Sequence, residues 1–399
     1  MLKDDLAALL DEDEAAPESR IVRFLSERGP VSAAQLSRAT GLARSTISTA
    51  LAELRRTGVI VESAPGRGDG ARAVGRPASA FALNPEAGTC LGVHLSLSHV
   101  SVMVADVSHS VICEKMIPLG LDYSPETAIA AVRRAMRDLY AERGLSLRAL
   151  IGVGVSFSGP VAPDGRIQRA SIIPTWAGVN IREIFEPALQ RPIFADNESN
   201  CSALAEMTWG AAVGVDDFVF FTVDHMGVGG AIVSRGRVLT GIGGGGGEFG
   251  HMTLYPDGEL CRCGNRGCLE LTASFVPALG VASRLFGRPI ELEELIALAK
   301  QGHVGCARLI EDTATIAGRG LGMVGSVLNP GLILIGGRAA LAGDLFLAPL
   351  ARSYDRHTLI KQADTPETQR TRIAFGRFTA NNALMGAVAL VLRRQGRLG

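Results

Sequence analysis

Residues Gly243 to Glu270 read G-G-G-G-G-E-F-G-H-M-T-L-Y-P-D-G-E-L-C-R-C-G-N-R-G-C-L-E, and no other stretch restricts the fold as tightly. Cys261, Cys263 and Cys268 stand within eight residues, and His251 lies ten positions before the first of them. Three thiolates and one imidazole complete the tetrahedral donor set that zinc takes in closed structural sites, so a Zn2+ ion on His251, Cys261, Cys263 and Cys268 is expected. Gly258, Gly264 and Gly267 let so short a segment fold back around one ion, since glycine accepts positive φ at little cost. The competing reading is three ordinary buried thiols, and their crowding beside a histidine weighs against it.

Two acids bracket the loop: Glu248 in G-E-F-G-H, and Glu270 after the last two loop residues, Cys268 and Leu269. A metal-clamped loop holds both carboxylates rigidly, in position to accept hydrogen bonds from a polyhydroxylated ligand. His251 can ligate through one ring nitrogen and offer the other to that ligand or to a neighbouring acid. The plainer reading of Glu248 and Glu270 is as solvated surface charges.

The run G-E-F-G-H followed by C-R-C-G-N-R-G-C-L-E resembles the signature of the ROK family, whose members are sugar kinases and sugar-responsive transcriptional repressors. The similarity extends from about Gly88 to the C-terminus. It implies an α/β chain with a two-lobed actin-like (ribonuclease-H-like) ATPase fold and a sugar bound in the cleft. The expected organisation is a flexible tail over 1–16 and a winged helix-turn-helix over 17–86. Lobe 1 then spans 87–210, completed by a C-terminal helix over 381–399, and lobe 2 spans 211–380 with the zinc loop at 251–268.

A length of 399 residues suggests two or three domains, and a 47% hydrophobic content supplies a sizeable core. No uninterrupted apolar run approaches the roughly 18 residues of a membrane span. The opening M-L-K-D-D-L-A-A-L-L-D-E-D-E is acidic, unlike a basic secretory leader. A cytoplasmic protein with no membrane partner is therefore expected, and Cys90, Cys113, Cys201 and Cys306 read as small core residues.

Charge is unevenly spread along a chain whose formal net charge is zero. From Arg20 to Ala80 there are ten arginines and no lysine against four acids, an excess of six. That asymmetry suits a nucleic-acid-binding appendage on a neutral or acidic body. From Pro17 the pattern predicts three short helices and a β-hairpin. The run around Ile21, Val22, Phe24 and Leu25 stops at Gly29-Pro30; Ser32 caps A-A-Q-L-S-R-A-T, which stops at Gly41. In A-R-S-T-I-S-T-A-L-A-E-L-R-R, Ile47, Leu51 and Leu54 face a core, while Arg44, Ser45, Thr46, Ser48 and Thr49 lie opposite. A recognition helix enters a major groove with its N-terminal polar residues in this way. The strands V-I-V-E and F-A-L-N flank a glycine-rich wing carrying Arg67, Arg72 and Arg76. Its Gly75-Arg76-Pro77 resembles a minor-groove AT-hook core, with a plain linker as the alternative.

The body begins with three antiparallel strands, then a helix from Pro125 to Glu142 and the strand I-G-V-G-V-S-F-S-G-P. A second lobe starts at F-V-F-F-T-V, with helices near 291–301 and 304–328, the strand G-L-I-L-I-G-G and a last helix near 381–395. Family kinases carry D-x-G-x-T in the first hairpin; here the run is His94-Leu95-Ser96-Leu97-Ser98. Their second phosphate loop, G-T-G-x-G-G, reads His225-Met226-Gly227-Val228-Gly229-Gly230 here. Phosphoryl transfer needs an open backbone approach and charge neutralisation, and both are compromised. The family's E-N-D-A-N, whose aspartate is the catalytic base, matches Asp196-Asn197-Glu198-Ser199-Asn200. Glu198 is one methylene too long for that task and better suited to ligand recognition; Asn197 and Glu198 also suit a helix cap and a first-turn acid. Ile172 stands where the family often has a sugar-binding asparagine, so a ligand other than plain glucose is expected. Trp176 reads equally well as a core residue.

The resemblance thus implies no catalytic residue, Glu198 only standing at the kinase base position, and Asn197, Glu198, Glu248, His251 and Glu270 as sugar contacts. The function expected is a sugar-responsive transcriptional regulator, most simply a repressor of carbohydrate genes. It works as a homodimer or homotetramer on operator DNA, with a sugar or sugar derivative as effector. A working ATP-dependent sugar kinase with a DNA-binding appendage is the alternative.

Overall fold

Three helices and a small sheet form the N-terminal head. The structure, a computed structural model, describes residues 2–11, 16–63, 79–168, 173–361, 363–378 and 382–393. Helix α1 spans Leu2–Asp11 and α2 spans Pro17–Arg28, with Pro17 starting the helix and Gly29 ending it. After the two-residue strand β1 (Val31–Ser32), α3 (Ala33–Thr40) opens with a capping box: the Gln35 amide donates to Ser32 Oγ and Ser32 N–H donates to Gln35 Oε1. Helix α4 (Arg44–Arg56) buries Ile47, Ala50, Leu51 and Leu54. Strands β2 (Ile60–Ser63) and β3 (Ala80–Leu83) pair antiparallel, and β1 adds to β3. The expected wing, with Arg67, Arg72, Arg76 and the Gly75-Arg76-Pro77 run, lies outside the described residues.

Residues 2–11 are not the tail expected of 1–16. Leu6 and Leu10, one helical turn apart, are both buried, and α1 packs against α2, the short turn Pro85–Ala87 and the strand Leu150–Phe157. An i, i+4 leucine pair outweighs the acidic flanks.

The chain divides into two compact units, one running to Cys201 and resuming at Ala383, the other from Ser202 to Asn382. The first therefore contains the head as well as a body, and the division falls inside a helix rather than at 210.

In the first unit, β4 (Thr89–Leu95), β5 (His99–Asp106) and β6 (Val111–Pro118) are antiparallel neighbours. Helix α5 (Pro125–Glu142), β7 (Leu150–Phe157), α6 (Ile181–Leu189) and β8 (Ile193–Asn197) follow, giving the order β6-β5-β4-β7-β8 with β4, β7 and β8 parallel. Leu91, Val93, Val153 and Val155 bury one face together with Ala128, Val132 and Phe185. The other face is shaped by Gly92 and Gly154, which stand side by side in register on β4 and β7. A Cβ on Gly154 would run into the Ala387 carbonyl, so these glycines form a trough for a helix backbone.

The second unit repeats this plan. Helix α7 (Glu198–Trp209) leads into β9 (Phe218–Val223), β10 (Val228–Ser234) and β11 (Arg237–Val238). Helices α8 (Leu269–Ala273), α9 (Val276–Phe286), α10 (Leu292–Lys300) and α11 (Val304–Leu328) precede β12 (Leu332–Gly336), α12 (Asp344–His357) and β13 (Arg372–Phe375). Its sheet order is β11-β10-β9-β12-β13, with β9, β12 and β13 parallel. Helices α11 and α12 meet through Gly318, Gly322 and Gly325, where a Cβ would strike Leu350, His357 or Tyr354. The stretch Leu269–Phe286 has the length and apolarity of a membrane span, but it is two helices broken at Ser274 that bury Leu269, Phe275, Ala278, Leu279 and Ala282 in this unit's core.

The final helix, α13 (Asn382–Arg393), lies in the glycine trough of the first unit. Its end touches the head: Ser26 Oγ donates to Leu392 O at 3.4 Å, and Arg393 lies 3.9 Å from Glu27.

Candidate functional site

The cysteine loop closes on itself in the second unit. The amide of Cys261 donates to Asn265 O and that of Gly264 to Cys261 O, while Leu254 and Tyr255 both donate to Gly267 O. Gly267 has φ +59°, and a Cβ there would run into Tyr255 O, so both the handedness and the space demand glycine. These turns gather His251, Cys261, Cys263 and Cys268 with all ligand atoms within 4.8 Å of one another. His251 Nδ1 is 3.7 Å from Cys261 Sγ, and Cys263 Sγ is 3.6 Å from Cys268 Sγ. Ligand atoms at the corners of a tetrahedral site with bonds of about 2.0–2.3 Å stand roughly 3.5–3.8 Å apart, and these two pairs match that spacing. Burial and the neighbouring thiols push Cys268 up to about 12, and burial holds His251 below the usual imidazole value. A metal cation reverses the first effect and needs the neutral ring that the second supplies.

The two acids of the loop have different surroundings. Glu248 Oε2 lies 3.9 Å from His251 Nε2, the nitrogen turned away from the cysteines. This is the carboxylate-to-histidine arrangement that orients a metal ligand. Glu270 is buried, and its Oε2 accepts from Arg262 at 2.6 Å. That pair lines a cavity of about 640 Å³ within the second unit, shared with Met226, Tyr255, Thr272 and Ser274.

In the first unit the candidate residues sit at the carboxyl ends of the parallel strands, where open α/β sheets bind ligands. Register aligns His94, Ser156 and Asp196 across β4, β7 and β8. His94 Nδ1 is 3.2 Å from Ser156 Oγ, and its Nε2 is 3.6 Å from Glu198 Oε2. Burial pushes His94 down to about 4. At neutral pH it is therefore an uncharged group. Ser158 donates to Glu198. Asn197 Oδ1 accepts from the amides of Ser199 and Asn200, and its Nδ2 donates to Gly159 O. Asn197 thus caps α7 and fixes Glu198 in its first turn, as the capping alternative held. Burial raises Asp196 to about 6, against bonds from the Asn200 side chain and the Asn197 amide.

Sequence reasoning did not single out Ser156, Ser158 or Asp196; the available signal was a polar S-F-S closing an otherwise apolar strand. Trp176 is core: it is fully buried against Phe157 and Tyr123, with Nε1 donating to Tyr123 O at 3.1 Å. Ile172 lies outside the described residues. Cys90, Cys113, Cys201 and Cys306 are buried, as expected.

On the head, Arg44, Ser45, Ser48 and Thr49 are exposed and Thr46 half-buried, on the face of α4 opposite its apolar stripe. At the far end of α4, Arg55 pairs with Glu62 and Arg56 with Glu53, so positive charge on this face is concentrated at the helix start.

A helix-turn-helix head joined to two sheets of one topology, each with parallel strands opening at their carboxyl ends, is the build of a sugar-kinase-type body with a DNA-reading appendage. The model of the ROK family matches residues 90–394, and that of an HTH domain matches residues 18–70. The chain belongs to the ROK family. It is 24% identical over 385 residues to a xylose repressor of Caldicellulosiruptor bescii, covering 93% of this chain and 94% of that one. The crystal structure of a ROK family transcriptional regulator, a homolog of the E. coli MLC protein, is similar with a TM-score of 0.75 at 24% identity, covering 96% of each chain. A ROK hexokinase from Thermus thermophilus is similar with a TM-score of 0.60 at 31% identity, covering 75% of this chain and 97% of that one.

Proposed function

We propose that this protein is a sugar-responsive DNA-binding transcriptional regulator acting as a repressor in the cytoplasm. The observation that carries the reading is His94: a half-buried imidazole, pushed down to about 4 by desolvation, takes the place of the acid a family kinase needs, while the head presents Arg44, Ser45, Ser48 and Thr49 to solvent with Thr46 half-buried beside them. Glu198, set in place by Asn197, is the sugar contact of the first unit. Glu248, His251 and Glu270 are those of the second, carboxylates being strong acceptors for sugar hydroxyls. A Zn2+ ion on His251, Cys261, Cys263 and Cys268 supplies a structural clamp; Glu248 orients His251, and the loop glycines permit the turns. Arg67, Arg72 and Arg76 are proposed to add backbone or minor-groove contacts to DNA. A homodimer or homotetramer reading paired half-sites is the corresponding assembly.

The effector class follows from the relatives: pentoses and hexoses, with xylose the first to try. A thermal-shift screen of purified protein against a sugar panel tests this, and a sugar that raises the melting temperature should also change affinity for promoter DNA. If no sugar moves either quantity, the sugar-sensor reading fails. The similarity to a hexokinase favours a second reading, a kinase carrying a DNA-binding head. ATP-dependent sugar phosphorylation at an ordinary kinase rate, lost in Glu198→Ala, would establish it.

A further inference from the structure

In the second unit, β9 and β12 run parallel with Gly336 beside Thr222, and their carboxyl ends open into two turns, Val223 to Gly227 and Gly336 to Arg338. Gly337 brings these turns together: it has φ +78°, and a Cβ there would lie 2.5 Å from Val223 O and 2.6 Å from Thr222 Oγ1. Such a crevice is where open α/β sheets take ligands, and converging N–H groups with a guanidinium make it an anion site. One anion is already there. Asp224 Oδ1 accepts from the His225 amide at 2.7 Å and from Arg338 Nε at 2.7 Å, and its Oδ2 accepts from the Arg338 amide at 3.2 Å. Glu293 holds the same guanidinium from its other side at 3.2 Å.

We infer that Asp224 is a built-in substitute for a phosphate, and that with Arg338 it closes this crevice to nucleotide phosphates. Two amides and a charged donor on one carboxylate repeat the bonding a phosphate oxygen seeks. A tethered carboxylate competes at a very high effective concentration, so a free phosphate must displace it and also approach a site whose positive charge is already matched. A lone surface ion pair would be a weak plug, but here the backbone shares the load. This rests on the regulator reading above and gives it a cause within the second unit, independent of His94 in the first.

The test uses the full-length chain titrated calorimetrically with pyrophosphate and with ATP, both free of magnesium. Asp224→Ala should gain at least about tenfold in pyrophosphate affinity over the wild type. Asp224→Asn, which keeps the shape and an acceptor but drops the charge, should gain less and decides the matter if the alanine variant does not fold. Adding Arg338→Ala should abolish the gain. Equal affinity in the wild type and the folded Asp224 variants, or a gain that survives loss of Arg338, overturns the inference. Neither of those results touches the regulator reading, which fails instead if the wild type phosphorylates a sugar from ATP.

Discussion

The two units share one strand order yet close the carboxyl ends of their sheets by different physics. In the first, a histidine stands at the end of β4, and burial rather than a partner removes its charge. In the second, an aspartate after β9 is held by Arg338 and two amides. They also hold their shapes differently. The first buries α13 in a trough made by Gly92 and Gly154, whereas the second carries a loop whose four donor atoms face one another. One strand plan therefore carries different chemistry at its two sets of carboxyl ends, and the two halves should answer differently to perturbation.

The largest difference should appear on metal removal. Chelation, or Cys268→Ser, should lower the melting temperature by about 10 °C or more. Limited proteolysis should then cut within 253–267 while the strands of the first unit stay protected. Unchanged melting in a protein shown to be metal-free would remove the clamp from the account. Next, Gly154→Ala, which forces a methyl group into the Ala387 carbonyl, should cost about 3 kcal/mol in chemical denaturation, the upper end for overpacking. An exposed glycine with open space around it, such as Gly245, should tolerate the same change.

A smaller effect belongs to Asp196. Its folded value of about 6 lies above the ordinary 3.8, so the folded chain holds this proton more tightly than the unfolded one. The stability this lends is fully present below about pH 4 and is lost as pH rises through about 6. Asp196→Asn should accordingly stabilise the protein by about 2 kcal/mol at pH 8 and change little at pH 4. Equal effects at both pH values would mean that Asp196 is not held near-neutral by burial. Smallest in free energy is Glu198→Gln, which should weaken sugar binding about tenfold without moving the melting temperature. The corresponding test in the second unit, Glu248→Gln, should also disturb the metal loop through His251.

Much of this was legible before any coordinates, where local chemistry decides the outcome. The gathering of His251, Cys261, Cys263 and Cys268 follows from donor types and spacing, and the helix over 125–142 from Ser124 as cap with Pro125 in the first turn. Helices α6 and α12 are absent from the sequence reading; each carries an internal proline, Pro187 and Pro349, that weakens a local helix signal, and tertiary packing overrides the break. Helix α1 was obscured by its acids. The sites at the strand ends were the least legible. His94, Ser156 and Asp196 meet only through parallel register, and Asp224 meets Arg338 across 114 residues of chain, which no local pattern encodes. Asn197 reads as a sugar contact and a cap together, and its bonds show the cap.

The most direct test of the whole account is fluorescence anisotropy of promoter DNA recovered by binding-site selection, titrated with full-length protein with and without xylose or another sugar found in the thermal screen, and with no ATP present. The account predicts that the sugar changes DNA affinity by at least about tenfold and that no sugar phosphate forms when ATP is then added. DNA affinity indifferent to every sugar, together with steady ATP-dependent phosphorylation, would contradict it.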